Sequence, residues 1–187
     1  MSDKKGKLVI ISAPSGTGKG TVIGKLLELR PEFVFSVSAT TRKPRPGESD
    51  GVEYHFLTHE RFKEMISKDE FLEYAKYVGE FYGTPSGPVR ECMDNGLTVI
   101  LDIEVQGAKQ VMAKMPDAVT IFIVPPDMEE LETRLRGRGT DTGEKLTARL
   151  EQARRELEEK DNYSFIVVND TVSRAAHEIL SLIDRKD

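Results

Sequence analysis

The chain has 187 residues, with 27 Lys and Arg against 32 Asp and Glu and a formal net charge of −5 at pH 7. That length suits one globular body with a sizeable core, and the acidic balance excludes a general electrostatic pull toward nucleic acid or an anionic membrane, so any anion must be held by local positive charge. Cys92 is the single cysteine, which excludes an internal disulfide and a metal–thiolate cluster and suits a reducing compartment.

Near the start, Leu8–Ile11 is an apolar run too short for a signal segment or a membrane span. The expected location is therefore cytoplasmic. Leu8–Ser12 reads as a buried strand, and the pattern TVIGKLLEL (Thr21–Leu29) reads as a helix. Between them lies ISAPSGTGKGTV, Ile11–Val22, a glycine-rich turn joining strand to helix. In that setting main-chain N–H groups converge on an anion, the helix start adds positive dipole, and Lys19 supplies a point charge for β- and γ-phosphates. The candidate nucleotide-binding residues are Ala13, Pro14, Ser15, Gly16, Thr17, Gly18, Lys19, Gly20 and Thr21. Against the pattern G-x-x-x-x-G-K-[ST], Ala13 replaces the first glycine and Gly20 replaces the hydroxyl residue, which comes one place later at Thr21. A Mg²⁺ ion is then expected to lean mainly on phosphate oxygens and water, with Thr21 and Asp102 as the candidate protein ligands.

Residues 33–96 break the strand–helix rhythm. Phe33–Val37, Val52–Leu57, Phe71–Val78 and Phe81–Tyr82 read as short strands around a helix at Thr58–Lys68, an inserted small mixed β/α lobe. Within it SATTRKPR (Ser38–Arg45) sets Arg42 and Arg45 about a proline that blocks helix. Paired guanidinium forks suit phosphate, although such a basic run is also compatible with a solvated loop. The alternation then resumes: strand Leu97–Ile103, helix Glu104–Met115, strand Val119–Val124, and helix Asp127–Arg136, which Asp127 can cap. RLRGRGTDTGE (Arg134–Glu144) is glycine-rich and cationic, the composition of a mobile lid. A long helical pattern to Lys160, a strand at Phe165–Val168 and a helix at Thr171–Ile183 complete the chain. Alternating β and α elements imply an α/β fold, a doubly wound parallel-sheet core whose ligands sit at the carboxyl ends of the strands. Asp102 ends one such strand, on the rim of the phosphate loop.

The loop names a nucleotide and not a reaction. The N-K-x-D guanine signature of GTP switches is absent from the sequence. The stretches SAPSGTGKGTV, SVSATTRKPRPGESDGVEYHF, FLEYAKYVGEFYGTP, ILDIEVQGA, RLRGRGT and VVND resemble, in order and spacing, those of guanylate kinases, P-loop enzymes that convert ATP and GMP to ADP and GDP. The resemblance implies a core of 1–32, 97–133 and 161–187, a GMP-binding lobe at 33–96 and a lid at 134–160. It also implies that Arg42, Arg45, Tyr54 and Tyr82 hold the GMP phosphate, that Glu73 faces guanine, and that Ser38 and Thr84 place hydroxyls around the base. Asp102 and Glu104 match acids near the phosphates. Arg134, Arg138 and Arg149 match arginines that neutralise the transferred group, and Asn169 lies where the family meets adenine. Read without the resemblance, Tyr54 and Tyr82 are equally half-buried strand residues, and Arg149 an i,i+4 helix partner. Two other readings stay open here: another nucleoside monophosphate kinase, for AMP, UMP or dTMP, and a non-catalytic guanylate-kinase-like interaction module. The expected partners are ATP and GMP with Mg²⁺, and no nucleic acid or membrane; the residues leave open a homo-oligomer and the use of dGMP.

Overall fold

The structure, a computed structural model, describes residues 5–137 and 143–185. It begins with β1 (Leu8–Ser12), α1 (Lys19–Leu29) and the short strands β2 (Val34–Phe35) and β3 (Ala39–Thr40). There follow β4 (His55–Phe56), α2 (His59–Ser67), the hairpin β5 (Phe71–Tyr77) and β6 (Glu80–Pro85), and α3 (Ser86–Asp94). The second half runs β7 (Val99–Asp102), α4 (Val105–Lys114), β8 (Val119–Val124), α5 (Met128–Gly137), α6 (Glu144–Leu157), β9 (Phe165–Val168) and α7 (Val172–Arg185).

Five strands form one sheet in the order β2-β7-β1-β8-β9, with β2 parallel to β7, β1 to β8, and β8 to β9. Every residue of β1 is buried, as are Val119–Ile123 of β8. Central strands covered on both faces need near-continuous apolar runs, and LVIIS and VTIFI supply them, with Ser12 and Thr120 as buried polar exceptions. The order reverses at β1, so the loop that follows it stands at the topological switch point where such folds bind ligands. β9 carries the same kind of apolar run but lies at the edge; Val167 is buried while Ile166 and Val168 are exposed. Val22, Ile23 and Leu26 of α1 and Ala175, Ala176, Ile179 and Ile183 of α7 are buried. The two helices pack together, and Arg30 Nη2 reaches Asp184 Oδ2 at 2.5 Å.

A second, mixed sheet has the order β4-β3-β6-β5, β3 being parallel to β4 and antiparallel to β6. Its core is aromatic: Phe62 of α2 stacks on Phe71 at 4.3 Å and on Phe81 at 5.3 Å between ring centroids. Thr58 caps α2 by accepting the Arg61 N–H, a contact that typically stabilises a helix by about 1 kcal/mol. By compactness the described residues fall into two units. One takes the described part of Met1–Leu8 with Val34–Ile100 and Gln106–Ala118; the other takes Val9–Phe33, Leu101–Val105 and the described part of Val119–Asp187.

Several elements differ from the sequence expectation: of Val52–Leu57 only His55–Phe56 is a strand, and Ala39–Thr40, not expected as one, forms β3. The run Phe33–Val37, expected as a lobe strand, contributes only Val34–Phe35, and these pair with Val99 and Ile100 in the five-stranded sheet. No helix is expected between Gly83 and Gly96, yet α3 forms there with Val89 and Met93 buried. Pro88 stands within the first turn of this helix, where proline forfeits an N–H that has no partner anyway. Arg134 and Arg136 fall within the helix expected at Asp127–Arg136, on the last turns of α5, and pair back to Glu130 and Glu132. Among the described residues no helix is long and apolar enough to cross a membrane.

Candidate functional site

The phosphate loop is shaped by two close approaches. Gly16 and Gly18 have φ of 90° and 88°, in the left-handed region that side chains disfavour. A Cβ on Gly16 would stand 2.6 Å from Leu135 Cδ2, and one on Gly18 would stand 2.8 Å from Asn169 Nδ2. Glycine is therefore required here by backbone torsion and by neighbours alike. Gly20, by contrast, is exposed, with open space where a Cβ would go.

Helix α1 starts directly from the loop, capped by Gly18 with no side-chain hydrogen bond and with no acid in its first turn. Its leading N–H groups thus keep their donor capacity and positive dipole for an anion, unlike the Thr58-capped α2. Lys19 Nζ lies 2.6 Å from Asp102 Oδ1 and donates to the Ile103 carbonyl at 3.4 Å. The acid expected at the rim is therefore at the loop lysine. Glu104 is exposed and pairs with no side chain among the described residues.

Around the loop, Arg134 donates from Nη1 to the Thr17 carbonyl (3.1 Å), from Nη2 to the Asn169 carbonyl (3.0 Å), and from Nε to Glu130 (2.8 Å). Asn169 is buried and donates Nδ2–H to the Thr17 carbonyl at 2.7 Å, while its Oδ1 accepts from no group among the described residues. A buried acceptor left open in this way suits a ligand donor such as an exocyclic amine. Arg149 of α6 donates to Ser15 Oγ at 2.8 Å. Leu131, Leu135, Leu146 and Ala153 form the small core that joins α5 to α6. Arg138 lies outside the described residues.

The other candidate group belongs to the second sheet and its loops. Arg42 Cζ stands 5.1 Å from the Tyr54 ring centroid, and Tyr54 and Tyr82 meet edge to face at 6.1 Å. Three of the four residues expected at the acceptor phosphate are thereby assembled. Arg45 is exposed; its backbone N–H donates to Glu48 Oε2 at 2.8 Å, and its charge acts on the same carboxylate. Arg42 itself is gripped by Glu48, a residue that the sequence reading passes over: Nη1 donates to Oε2 at 2.6 Å and Nη2 to Oε1 at 2.7 Å. That hydrogen bonding holds the Glu48 carboxyl down at about 2 and pushes Arg42 further up. The pair is intact above the ordinary glutamate range and is lost only as the pH falls through about 2.

Glu73 is 8 % exposed, and Thr84 donates its hydroxyl to Oε1 at 2.7 Å. The two are cross-strand partners on β5 and β6, which fixes the pairing through sheet register. Gly107, in the first turn of α4, brings its backbone under the same acid; a Cβ there would stand 2.8 Å from Glu73 Oε2. Ser38 is half-buried beside β3, and its carbonyl accepts the His55 N–H.

The family model for guanylate kinase matches residues 5–186. A guanylate kinase of Lactococcus lactis is 50% identical over 181 residues, covering 97% of this chain and 88% of the relative. One of Synechococcus is 48% identical, covering 96% of this chain and 82% of the relative. Among solved structures, guanylate kinase from Anaplasma phagocytophilum superposes with a TM-score of 0.77 at 34% identity, over 98% of this chain and 87% of that one. A gluconokinase from Sinorhizobium meliloti, at 14% identity and a TM-score of 0.53, shares the fold.

Proposed function

The chain belongs to the guanylate kinase family, and on that premise we propose that it transfers the γ-phosphoryl group of ATP to GMP, and also to dGMP. The observation that carries this reading is the buried Thr84–Glu73 pair on the same sheet as Tyr82 and next to the loop of Arg42. An acid that accepts two N–H groups reads guanine, and a guanidinium with phenols beside it reads a phosphate. Together they describe one ligand, a guanine monophosphate.

In the transfer, an oxygen of the GMP phosphate attacks the γ-phosphorus, the bond to the β-bridging oxygen breaks, and ADP leaves with that oxygen's electron pair. Little covalent help is needed, because the acceptor is already an anionic nucleophile. Charge and alignment are what the residues supply. The N–H groups of the loop and Lys19 hold the donor phosphates, Arg42, Arg45, Tyr54 and Tyr82 hold the acceptor phosphate, and Arg134, Arg138 and Arg149 neutralise the transferred group. Ser38 supports the base. Asn169 Oδ1 takes the adenine amine. Residues 33–96 act as the GMP lobe and 134–160 as the lid, which shuts out water, the competing acceptor. The protein works among soluble nucleotides of the cytoplasm.

Mg²⁺ fits this donor set as an ion that keeps most of its water. No group of three His, Cys, Asp or Glu side chains cages a metal among the described residues, while Asp102 and the exposed Thr21 offer oxygens beside the loop. When bound, the ion would be held by Asp102 and Thr21, directly or through water, and would supply positive charge against that developing on the donor phosphates. Removing it with a chelator abolishes turnover, and restoring Mg²⁺ restores it; full activity in excess EDTA would exclude the metal.

The defining experiment is a coupled assay with GMP, AMP, UMP and dTMP side by side. GMP is used with kcat/KM about 10³-fold or more above the others, because an adenine or pyrimidine does not offer the Glu73 carboxylate the N1–H and exocyclic N–H of guanine. Equal use of AMP would overturn the assignment. The tight seat of Glu73 adds a second test. Gly107→Ala improves intrinsic helix propensity by roughly 1 kcal/mol, yet the new methyl must displace the Glu73 carboxylate. The expected outcome is a KM for GMP raised roughly tenfold, one charge-assisted hydrogen bond, with the KM for ATP unchanged. A normal KM for GMP would show that the acid relocates freely.

A further inference from the structure

A guanidinium presents two edges on which a pair of oxygens can dock side by side, Nη1–Nη2 and Nε–Nη2. In the acceptor lobe the first edge of Arg42 is filled. Glu48 takes both of its ends at 2.6 and 2.7 Å, and the second proton of Nη1 goes to the Lys43 carbonyl at 3.0 Å. The Nε–Nη2 edge has no partner among the described residues. Arg42 and Glu48 side chains are only 13% and 18% exposed, and the guanidinium is further seated 5.1 Å from the Tyr54 ring and 5.6 Å from the Phe56 ring. Glu48 is itself fixed. A tight turn with Pro46-Gly47 at its centre closes through Glu48 N–H to the Arg45 carbonyl at 3.0 Å, and Glu48 Oε2 accepts the Arg45 N–H at 2.8 Å.

We propose that Glu48 is a positioning residue of the acceptor site, which holds Arg42 by one edge so that the Nε–Nη2 edge is presented to two oxygens of the GMP phosphate. An arginine side chain has many rotamers, and aligning a free one on binding costs conformational entropy. The carboxylate removes that cost before the ligand arrives and holds the backbone of Arg45 in the same turn. A net charge near zero for the pair does not cancel recognition, because the phosphate meets directed N–H donors at close range. The inference rests on the reading of Arg42 as a ligand of the acceptor phosphate.

The test compares Glu48→Gln and Glu48→Asp with the unsubstituted chain. An amide keeps the shape but sets an NH₂ against one arm of the guanidinium, so Glu48→Gln raises the KM for GMP about tenfold or more, the scale of one charge-assisted hydrogen bond. The KM for ATP stays unchanged, and Glu48→Asp, which keeps the charge, recovers part of the loss. Guanosine, which lacks the phosphate, binds the Gln variant as it binds the unsubstituted chain when measured by calorimetry. A merely structural role for Glu48 would weaken guanosine in parallel with GMP and sink the proposal. A lower KM for GMP in Glu48→Gln would also overturn it, by showing that the carboxylate competes with phosphate for Arg42. Arg42→Ala separates this inference from the one beneath it. If that variant leaves GMP unaffected, the acceptor-site reading itself fails. If it weakens GMP while Glu48→Gln does not, only the positioning role fails. In the Arg42→Ala background, the effect of Glu48→Gln shrinks to what it exerts through the Arg45 backbone.

Discussion

Replacing Lys19 by alanine lowers kcat for GMP phosphorylation by about 10²–10³-fold, the range expected when one preorganised electrostatic contact to a transition state is removed. Lys19 begins α1, and its side chain, 18% exposed, spans from the helix start to Asp102 Oδ1 at 2.6 Å. The ammonium is thus held beside N–H groups that no cap has satisfied, the place proposed for the β- and γ-phosphates of ATP. Its loss leaves those donors in place, so ATP still binds, more weakly, and the larger effect falls on kcat. The fold survives because the loop is shaped by Gly16 against Leu135 and Gly18 against Asn169, neither of which involves the lysine. Asp102, whose side chain is 29% exposed, loses its partner but keeps access to water. Saturation kinetics and a thermal melt check both halves: kcat within threefold of the unsubstituted chain would remove Lys19 from the donor site, and a collapsed melt would make it structural.

How much of this is legible in the sequence depends on whether the deciding contact is local. The strand–loop–helix of residues 8–29 is readable because every determinant, the buried run, the glycines and the lysine, is contiguous. β1 and β8 are readable as near-continuous apolar runs because both faces are covered. The letters of β9 look the same, yet its place at the edge is set by strand order, which no run of residues encodes. Phe33–Val37 has apolar character enough for a strand, but its partners Val99 and Ile100 lie far along the chain. Nothing local chooses between the two sheets. The site divides in the same way. Arg42 stands out as part of a basic, proline-stiffened run, whereas Glu48 looks like one acid in a polar turn until the Arg45–Glu48 turn folds it onto the guanidinium. Gly107 looks like a helix defect, and its reason, the Glu73 carboxylate, comes from another element. Arg134 is expected to serve the transferred phosphoryl, and the structure adds a task for it, tying the Thr17 and Asn169 carbonyls together.

Substituting Glu73 by glutamine lowers kcat/KM for GMP by roughly 10²-fold, the upper range for a single hydrogen bond to a buried charge, and leaves the KM for ATP as it was. The carboxylate has two oxygens in a dry place. Oε1 takes the Thr84 hydroxyl at 2.7 Å, Oε2 sits over the backbone of Gly107, and a carboxylate, which only accepts, is what guanine's N1–H and exocyclic N–H require. An amide brings one acceptor and one donor. If its NH₂ turns toward Thr84, the hydroxyl reverses and accepts, and one oxygen alone faces the base. If it turns the other way, a donor meets a donor. In either arrangement one guanine N–H is buried without a partner, and the charge that strengthened the other bond is gone. Inosine monophosphate sharpens the measurement, because it keeps N1–H and lacks the exocyclic amine. The unsubstituted chain prefers GMP over this analogue, and the glutamine variant narrows the ratio by losing more on GMP. If both acceptors, and ATP with them, fell by the same factor, Glu73 would be holding up the hairpin of β5 and β6 and not reading the base.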